Sequence, residues 1–261
     1  MVGLKLRFIR EFNRLYFNVL KVFWHLQGRD AARVYMFHSV LDNKEELYSK
    51  FAISTALFER FIKFELSRGQ KAMNEEDLLK AIDNPDEFKN CFAVTFDDIY
   101  DSVYTNAFPI LKKHNIPFVV FVTPGLIGNI DENPKSLKPM ITFEHLVSLL
   151  SDPLCVLGSH GMEHKMYRTY SKGVDALAFS ESKKWLEDYF GTTVRLFAFP
   201  FGRRVEVSDK NIKTLSKAGY ECGFSALDGT LKQKWLSGRW FLPRILVGED
   251  YVTKHCREYG R

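Results

Sequence analysis

In the stretch AVTFDDIYDS (residues 93–102) an apolar run ends in two adjacent carboxylates, Asp97 and Asp98. Neighbouring side chains on an extended backbone point to opposite faces, so the two acids need different partners. Like charges side by side where a buried strand surfaces are costly unless a cation lies near them. A second stretch, LGSHGMEHK (residues 157–165), places His160 and His164 four residues apart just after another apolar run. A tight turn or first helical turn there brings both imidazoles to one side. Two histidines and a carboxylate with open positions suit a divalent transition metal, zinc first, with cobalt or nickel as alternatives. In that arrangement Asp98 ligates the metal and Asp97 is left to work as a general base. Either motif alone is weak, because surface histidine pairs and Asp-Asp capping turns are commonplace. Both at successive strand ends of one barrel are far more specific.

The elements that must position these residues follow from periodicity. Strands are predicted at 33–37, 91–96, 118–123, 155–159, 196–200, 222–225 and 241–247. Between them lie predicted helices at 55–68 after Ser54, through Ile82 from a cap at Asn74, 102–114, to Leu150 from a cap at Thr142, 171–189 and 208–218. Strands that are apolar along their length and alternate with helices imply a parallel sheet covered by helices. Six or seven such units suggest a closed or nearly closed barrel, whose chemistry sits at the C-terminal strand ends. Those ends carry His38, Asp97, Asp98, Thr123, His160, Pro200-Phe201, Ser225 and Arg244.

With 261 residues, 46% apolar and 26% charged, the chain has the composition of a soluble globular protein. Its net charge of +5 is too small to imply nucleic acid, and no basic run is interleaved with stacking aromatics. The cysteines, Cys91, Cys155, Cys222 and Cys256, form no C-x-x-C pair and read as buried thiols of a reducing compartment. Residues 1–30 are read as an N-terminal extension, and 31–261 as the barrel domain. In the extension Leu4, Phe8, Phe12, Leu15, Val19 and Phe23 recur at helical spacing. Lys5, Arg7, Arg10, Glu11, Arg14 and Lys21 interrupt any signal-peptide core. The expectation is an amphipathic helix, either packed on the domain or lying on an anionic membrane through residues 1–28. It also implies a cytoplasmic protein, peripheral at most on the inner membrane face. The sequence is silent on oligomeric state.

AVTFDDIYDSVYTNAFPILKKHNIPFVVFVTPGLIG, GSHGMEH, FAFPFG and AGYECGFSALDG, with YMFHSV before them, resemble the successive motifs of the polysaccharide deacetylases, the NodB-homology family. The resemblance runs over residues 34–247 and implies a distorted (β/α) barrel. It implies a metal-dependent hydrolase that removes N-acetyl, or O-acetyl, groups from an amino-sugar polysaccharide or glycan intermediate. Asp97 would be the base, and Asp98, His160 and His164 the metal ligands. Phe201 stands where an aromatic residue's N–H helps to hold the oxyanion.

The chain departs from the family pattern at several places. Ile99 is bulkier than the usual small residue, and Gly161 replaces a serine or threonine. Ala198 stands where many members carry an arginine that orients the base. Arg244 of LPRI is expected to reach that acid from the last strand instead. The late histidine that acts as acid is not recognisable, and His38 is the substitute. His25, His114, His145 and His255 read as structural or solvated; Tyr100 and Trp240 read as core or rim aromatics. A catalytically silent metal- or glycan-binding barrel is the alternative, since accessory residues differ. A phosphoester hydrolase would need a second metal and more carboxylates than the motifs offer.

Overall fold

The computed structural model describes residues 30–42, 50–129, 139–166, 174–233 and 238–256. The predicted N-terminal helix, the proposed membrane segment 1–28 and the first residues of the helix expected from 171 lie outside these. In chain order the strands and helices are β1 (Arg33–Phe37), β2 (Ser39–Leu41), β3 (Ala52–Ser54), α1 (Thr55–Ser67), β4 (Lys71–Ala72), α2 (Glu75–Asp83) and β5 (Cys91–Phe96). There follow α3 (Phe108–Lys113), β6 (Phe118–Val122), α4 (Phe143–Leu150), β7 (Cys155–Ser159), α5 (Val174–Phe190) and β8 (Leu196–Ala198). The last are α6 (Asp209–Leu215), β9 (Cys222–Phe224), β10 (Ile245–Leu246) and α7 (Glu249–His255).

All pairings within the main sheet are parallel, in the order β10-β1-β5-β6-β7-β8-β9, with β4 beside the start of β5. The sheet curls until its ends meet through one segment. Leu242 bridges Phe224 on β9, while Ile245 and Leu246 pair with Tyr35 and Met36 on β1. This is a distorted (β/α) barrel, as expected.

Strand alternation divides the core into two layers. Tyr35, Phe37, Phe92, Val94, Phe96, Val120 and Val122 face the helices. Val34, Ala93, Val119, Phe121, Leu196, Ala198, Cys222 and Phe224 face inward and meet Leu78, Leu79 and Ile82 of α2. Continuing the inward parity to the strand ends brings His38, Asp97, Thr123 and His160 to one mouth. Gly158 keeps this interior passable for its neighbour, since a Cβ there would lie 2.5 Å from the Phe121 ring.

Several predicted bounds shift, each for a backbone reason. The helix expected over 102–114 is split by a π turn, Val103–Ala107, before α3. Pro109 in the first turn of α3 has no N–H to give the preceding turn, so a regular ladder cannot run through. The strand expected over 196–200 ends at Ala198 ahead of Pro200. In the strand expected over 241–247, Pro243 leaves only the Leu242 bridge and β10. The pieces β2, β3 and β4 are too short to show periodicity. Asn74, Thr142 and Ser208 cap their helices by accepting backbone N–H bonds, as their types suggest, whereas Ser54 makes no side-chain cap. All four cysteines are free, with Cys222 and Cys256 buried. Among the described residues no helix is long and apolar enough to cross a membrane.

Candidate metal centre and catalytic pocket

Asp97 stays in strand register, its N–H donating to the Phe37 carbonyl at 2.9 Å, so its carboxylate points inward. A continued strand would aim Asp98 away. The chain instead turns left-handed at Asp98 (φ 63°) and Ile99 (φ 44°), which brings the second carboxylate back to the same mouth. Two successive non-glycine residues in this region are unusual and cluster at functional sites.

His160 extends β7 by one bond, from its N–H to the Val122 carbonyl at 2.8 Å. Its ring Nδ1 lies 2.8 Å from the Ala198 carbonyl. A carbonyl only accepts, so Nδ1 carries a proton, and Nε2 is the ring atom left to face Asp98 and to ligate a cation. That Nε2 lies 3.3 Å from Asp98 Oδ1, and His164 Nε2 lies 3.0 Å from the same oxygen. The three candidate ligand atoms fall within 4.8 Å of one another. Asp98 Oδ1 is buried yet accepts no well-directed hydrogen bond. An orphaned carboxylate oxygen facing imidazole nitrogen, with a donor set of two nitrogens and one oxygen, fits a divalent cation. Burial alone would raise the Asp98 pKa, but His160 and His164 more than reverse this and hold it well below the usual carboxylate range.

The hydroxyl absent at Gly161 has a replacement two residues earlier, on the other side of His160. Ser159 Oγ accepts the Gly161 N–H at 3.3 Å and donates to Ser182, and Thr123 Oγ1 donates to the His160 carbonyl at 3.4 Å.

Arg244, expected on the last strand, lies just before β10 and reaches Asp97 across the barrel interior. Its Nη1 and Nη2 donate to Asp97 Oδ1 and Oδ2, both at 2.6 Å. Nε donates to the Ser225 carbonyl at 2.9 Å and Nη1 also to Thr95 Oγ1 at 3.2 Å. The guanidinium is sealed between the rings of Phe121 and Phe224, 5.4 and 5.9 Å from their centroids. Burial pushes the Asp97 pKa up, but Arg244, His160 and His38 outweigh it, leaving the carboxyl below its ordinary range. The counter-charge missing at Ala198 is thus supplied from elsewhere in the chain.

His38 follows β1 at the same mouth, its ring 4.7 Å from that of Phe51. Its buried Nδ1 has no hydrogen-bond partner, and burial lowers its pKa despite the opposing pull of Asp98 and Asp97. Phe201 is left-handed (φ 61°), 47% exposed, and its ring lies 4.8 Å from that of His164. Gly202 follows because a Cβ would come within 2.5 Å of the Ala226 nitrogen. Trp240 packs on the core, and Tyr100 bridges Met140 beside the mouth. His114 meets Glu59 and His255 the Tyr251 carbonyl, both away from the pocket. His145, read as structural, bonds Asp101 at 2.6 Å beside the Asp98 turn. That partner is 44 residues away in sequence, and no spacing rule reveals it.

The fold is a parallel barrel with, among the described residues, one candidate metal-ligand cluster at its mouth, and comparison with known proteins shows which family the chain belongs to. The family model described as polysaccharide deacetylase matches residues 84–223, more than half of the chain. The chain belongs to that family. Among its relatives, the poly-β-1,6-N-acetyl-D-glucosamine N-deacetylase of Staphylococcus aureus (strain MRSA252) is 26% identical over 227 residues, covering 83% of this chain and 73% of that protein. The same-named protein of Staphylococcus epidermidis is 25% identical over 235 residues, covering 85% and 77%. The structure of IcaB from Ammonifex degensii superimposes with a TM-score of 0.73 at 24% identity, over 87% of this chain and 96% of that one. Streptococcus pyogenes deacetylase PplD, in complex with acetate, gives 0.72 at 19% identity, over 88% and 98%. These likenesses establish the NodB-type fold.

Proposed function

We propose that this chain is a metal-dependent hydrolase that removes N-acetyl groups from an amino-sugar polysaccharide. A β-linked poly-N-acetylglucosamine is the first substrate to try, because the relatives in sequence are named for one. The observation that carries the reading is the convergence of Asp98 Oδ1 with the Nε2 atoms of His160 and His164 beside the buried Asp97–Arg244 pair.

Asp98, His160 and His164 would hold one divalent cation, zinc by donor type, which when bound supplies Lewis acidity toward the acetyl carbonyl and acidifies water. Asp97 accepts the proton of the attacking water. Arg244 holds both Asp97 oxygens, yet each keeps a second lone pair for that proton. The two bonds from Arg244 favour the ionised form of Asp97, the state a base requires. The Phe201 N–H donates to the oxyanion that develops as the carbonyl carbon becomes tetrahedral, a role worth about 10²–10³ in kcat. The proton taken up by Asp97 is relayed through His38 to the departing amine, so both groups end as they began, and acetate and the free amino sugar leave. We further propose, from their basic and aromatic composition, that residues 1–28 contact an anionic membrane surface. Co-sedimentation with anionic vesicles tests that contact.

The enzyme reading is tested by acetate release from β-1,6-linked N-acetylglucosamine oligomers together with metal content. Asp97→Asn is expected to lose about 10²–10⁴ in rate and keep its metal, whereas His160→Ala loses the metal. Wild-type rates in Asp97→Asn would refute the base assignment. A wild-type protein that binds metal but releases no acetate would leave the silent barrel standing.

A further inference from the structure

The proposed metal centre depends on a turn that is unfavourable by itself. Asp98 and Ile99 are consecutive left-handed residues, and Ile99 is β-branched, the type least suited to positive φ. Each such residue costs about 1–3 kcal/mol and persists only where its surroundings over-determine it. The restraint comes from the segment that leads into α4. Ile141 N–H donates to the Ile99 carbonyl at 3.0 Å, Tyr100 bridges Met140, and Asp101 N–H donates to the Pro139 carbonyl at 3.0 Å. One side-chain contact ties α4 itself to the turn: His145 Nδ1 donates to Asp101 Oδ1 at 2.6 Å.

The imidazole is itself well held. It stacks on Tyr104 of the π turn, with centroids 4.2 Å apart and planes 20° from parallel. The His145 N–H is capped by Thr142 Oγ1 at 3.2 Å, and Tyr104 Oη meets Ser148 Oγ at 3.2 Å. On the far side of the π turn, Ser102 Oγ accepts the Val40 N–H at 3.2 Å and Asn106 donates to the Val40 carbonyl at 2.8 Å. The Asp98 turn is therefore clamped between α4 and β2.

We infer that His145 is a positioning residue for the metal centre: through Asp101 it fixes the turn that presents the Asp98 carboxylate. The inference rests on the metal reading of Asp98, His160 and His164. As a plain ion pair at the surface, His145–Asp101 would be worth about 0–1 kcal/mol. As a restraint on a ligand it acts on metal affinity, where the loss of such outer partners typically costs about 10–100-fold. The two roles separate by measurement.

The full-length protein, stripped with a chelator, is titrated with Zn²⁺ or Co²⁺ against a chromophoric competitor. His145→Phe keeps a ring on Tyr104 and removes the donor; His145→Asn returns an amide N–H near the Nδ1 position. The expected result is metal affinity about 10-fold weaker in His145→Phe and largely recovered in His145→Asn. The metal-free melting temperature of His145→Phe should stay within about 4 °C of wild type, the shift about 1 kcal/mol produces. Activity of His145→Phe should return at saturating metal. Wild-type affinity in His145→Phe, or an affinity loss shared equally by His145→Asn, overturns the inference. Absence of metal binding by the wild-type protein is read before any substitution and refutes the metal site itself.

Discussion

Replacing Arg244 with methionine probes the buried pair most directly. Arg244 is fully buried and gives four hydrogen bonds, two of them to Asp97 at 2.6 Å. Methionine fills much the same volume but leaves Asp97 ionised and unpaired in the interior. Breaking a buried pair by removing one partner costs about 3–5 kcal/mol. For a chain of this size that corresponds to a melting temperature lower by roughly 6–20 °C. The loss also carries a pH signature. In the wild type, burial acts upward on Asp97 but Arg244 and the imidazoles win, so the folded pKa is depressed. That stabilisation is present above the unfolded value, about 3.9, and is lost as pH falls through the lower folded value. In Arg244→Met burial dominates and the folded pKa rises, so the variant weakens as pH rises toward neutral. The gap between the proteins should therefore widen from pH 5 to pH 7.5, and the acid limb of kcat/KM should move to higher pH. Guanidinium unfolding with chelator present reads the stability without metal. The double variant Asp97→Asn/Arg244→Met removes the stranded charge and should recover most of the loss. A single variant that loses less than about 1 kcal/mol, the range of surface pairs, or a double variant no better than it, would refute this account.

Two further outcomes follow from other parts of the site. Adding zinc to the chelated wild type should raise its melting temperature by binding linkage, about 2.7 kcal/mol at a hundred times Kd, while Asp98→Ala and His160→Ala show no such rise in a thermal scan. Gly158→Ala places a Cβ 2.5 Å from the Phe121 ring. It should destabilise by about 1–3 kcal/mol through overpacking, seen as a lower denaturant midpoint with unchanged slope.

Much of this site was legible because it rests on parity and spacing. Strand period two carries Asp97 and His160 inward, and both strands were long apolar runs with bounds that hold, Cys91–Phe96 and Cys155–Ser159. Arg244 was reachable because Ala198 stands where an arginine was expected and LPRI offers another on the last predicted strand, although its bidentate geometry was not readable. The turns that aim Asp98, His164 and Phe201 were not legible. Their left-handed backbone is imposed on residue types that do not favour it, so local propensity points elsewhere. The π turn, the two-stranded β2–β3 pair and the His145–Asp101 bond are likewise set by contacts distant in sequence.

Arg244 also stands at the seam of the barrel. Leu242 belongs to the β9 side and Ile245 to the β1 side, and the arginine between them points inward to Asp97. A counter-charge on β8, at Ala198, would have tied the base to the next strand but two. Placed at the seam, it makes Asp97, the proposed base, a strut across the interior, joining β5 to the segment that links the sheet's ends. The Ser225 carbonyl, just after β9, and the Thr95 hydroxyl, on β5, accept two more of its N–H groups. The charge on Asp97 and the closure of the barrel therefore depend on the same guanidinium. Any substitution that frees Asp97 from Arg244 must loosen the fold and alter the chemistry together.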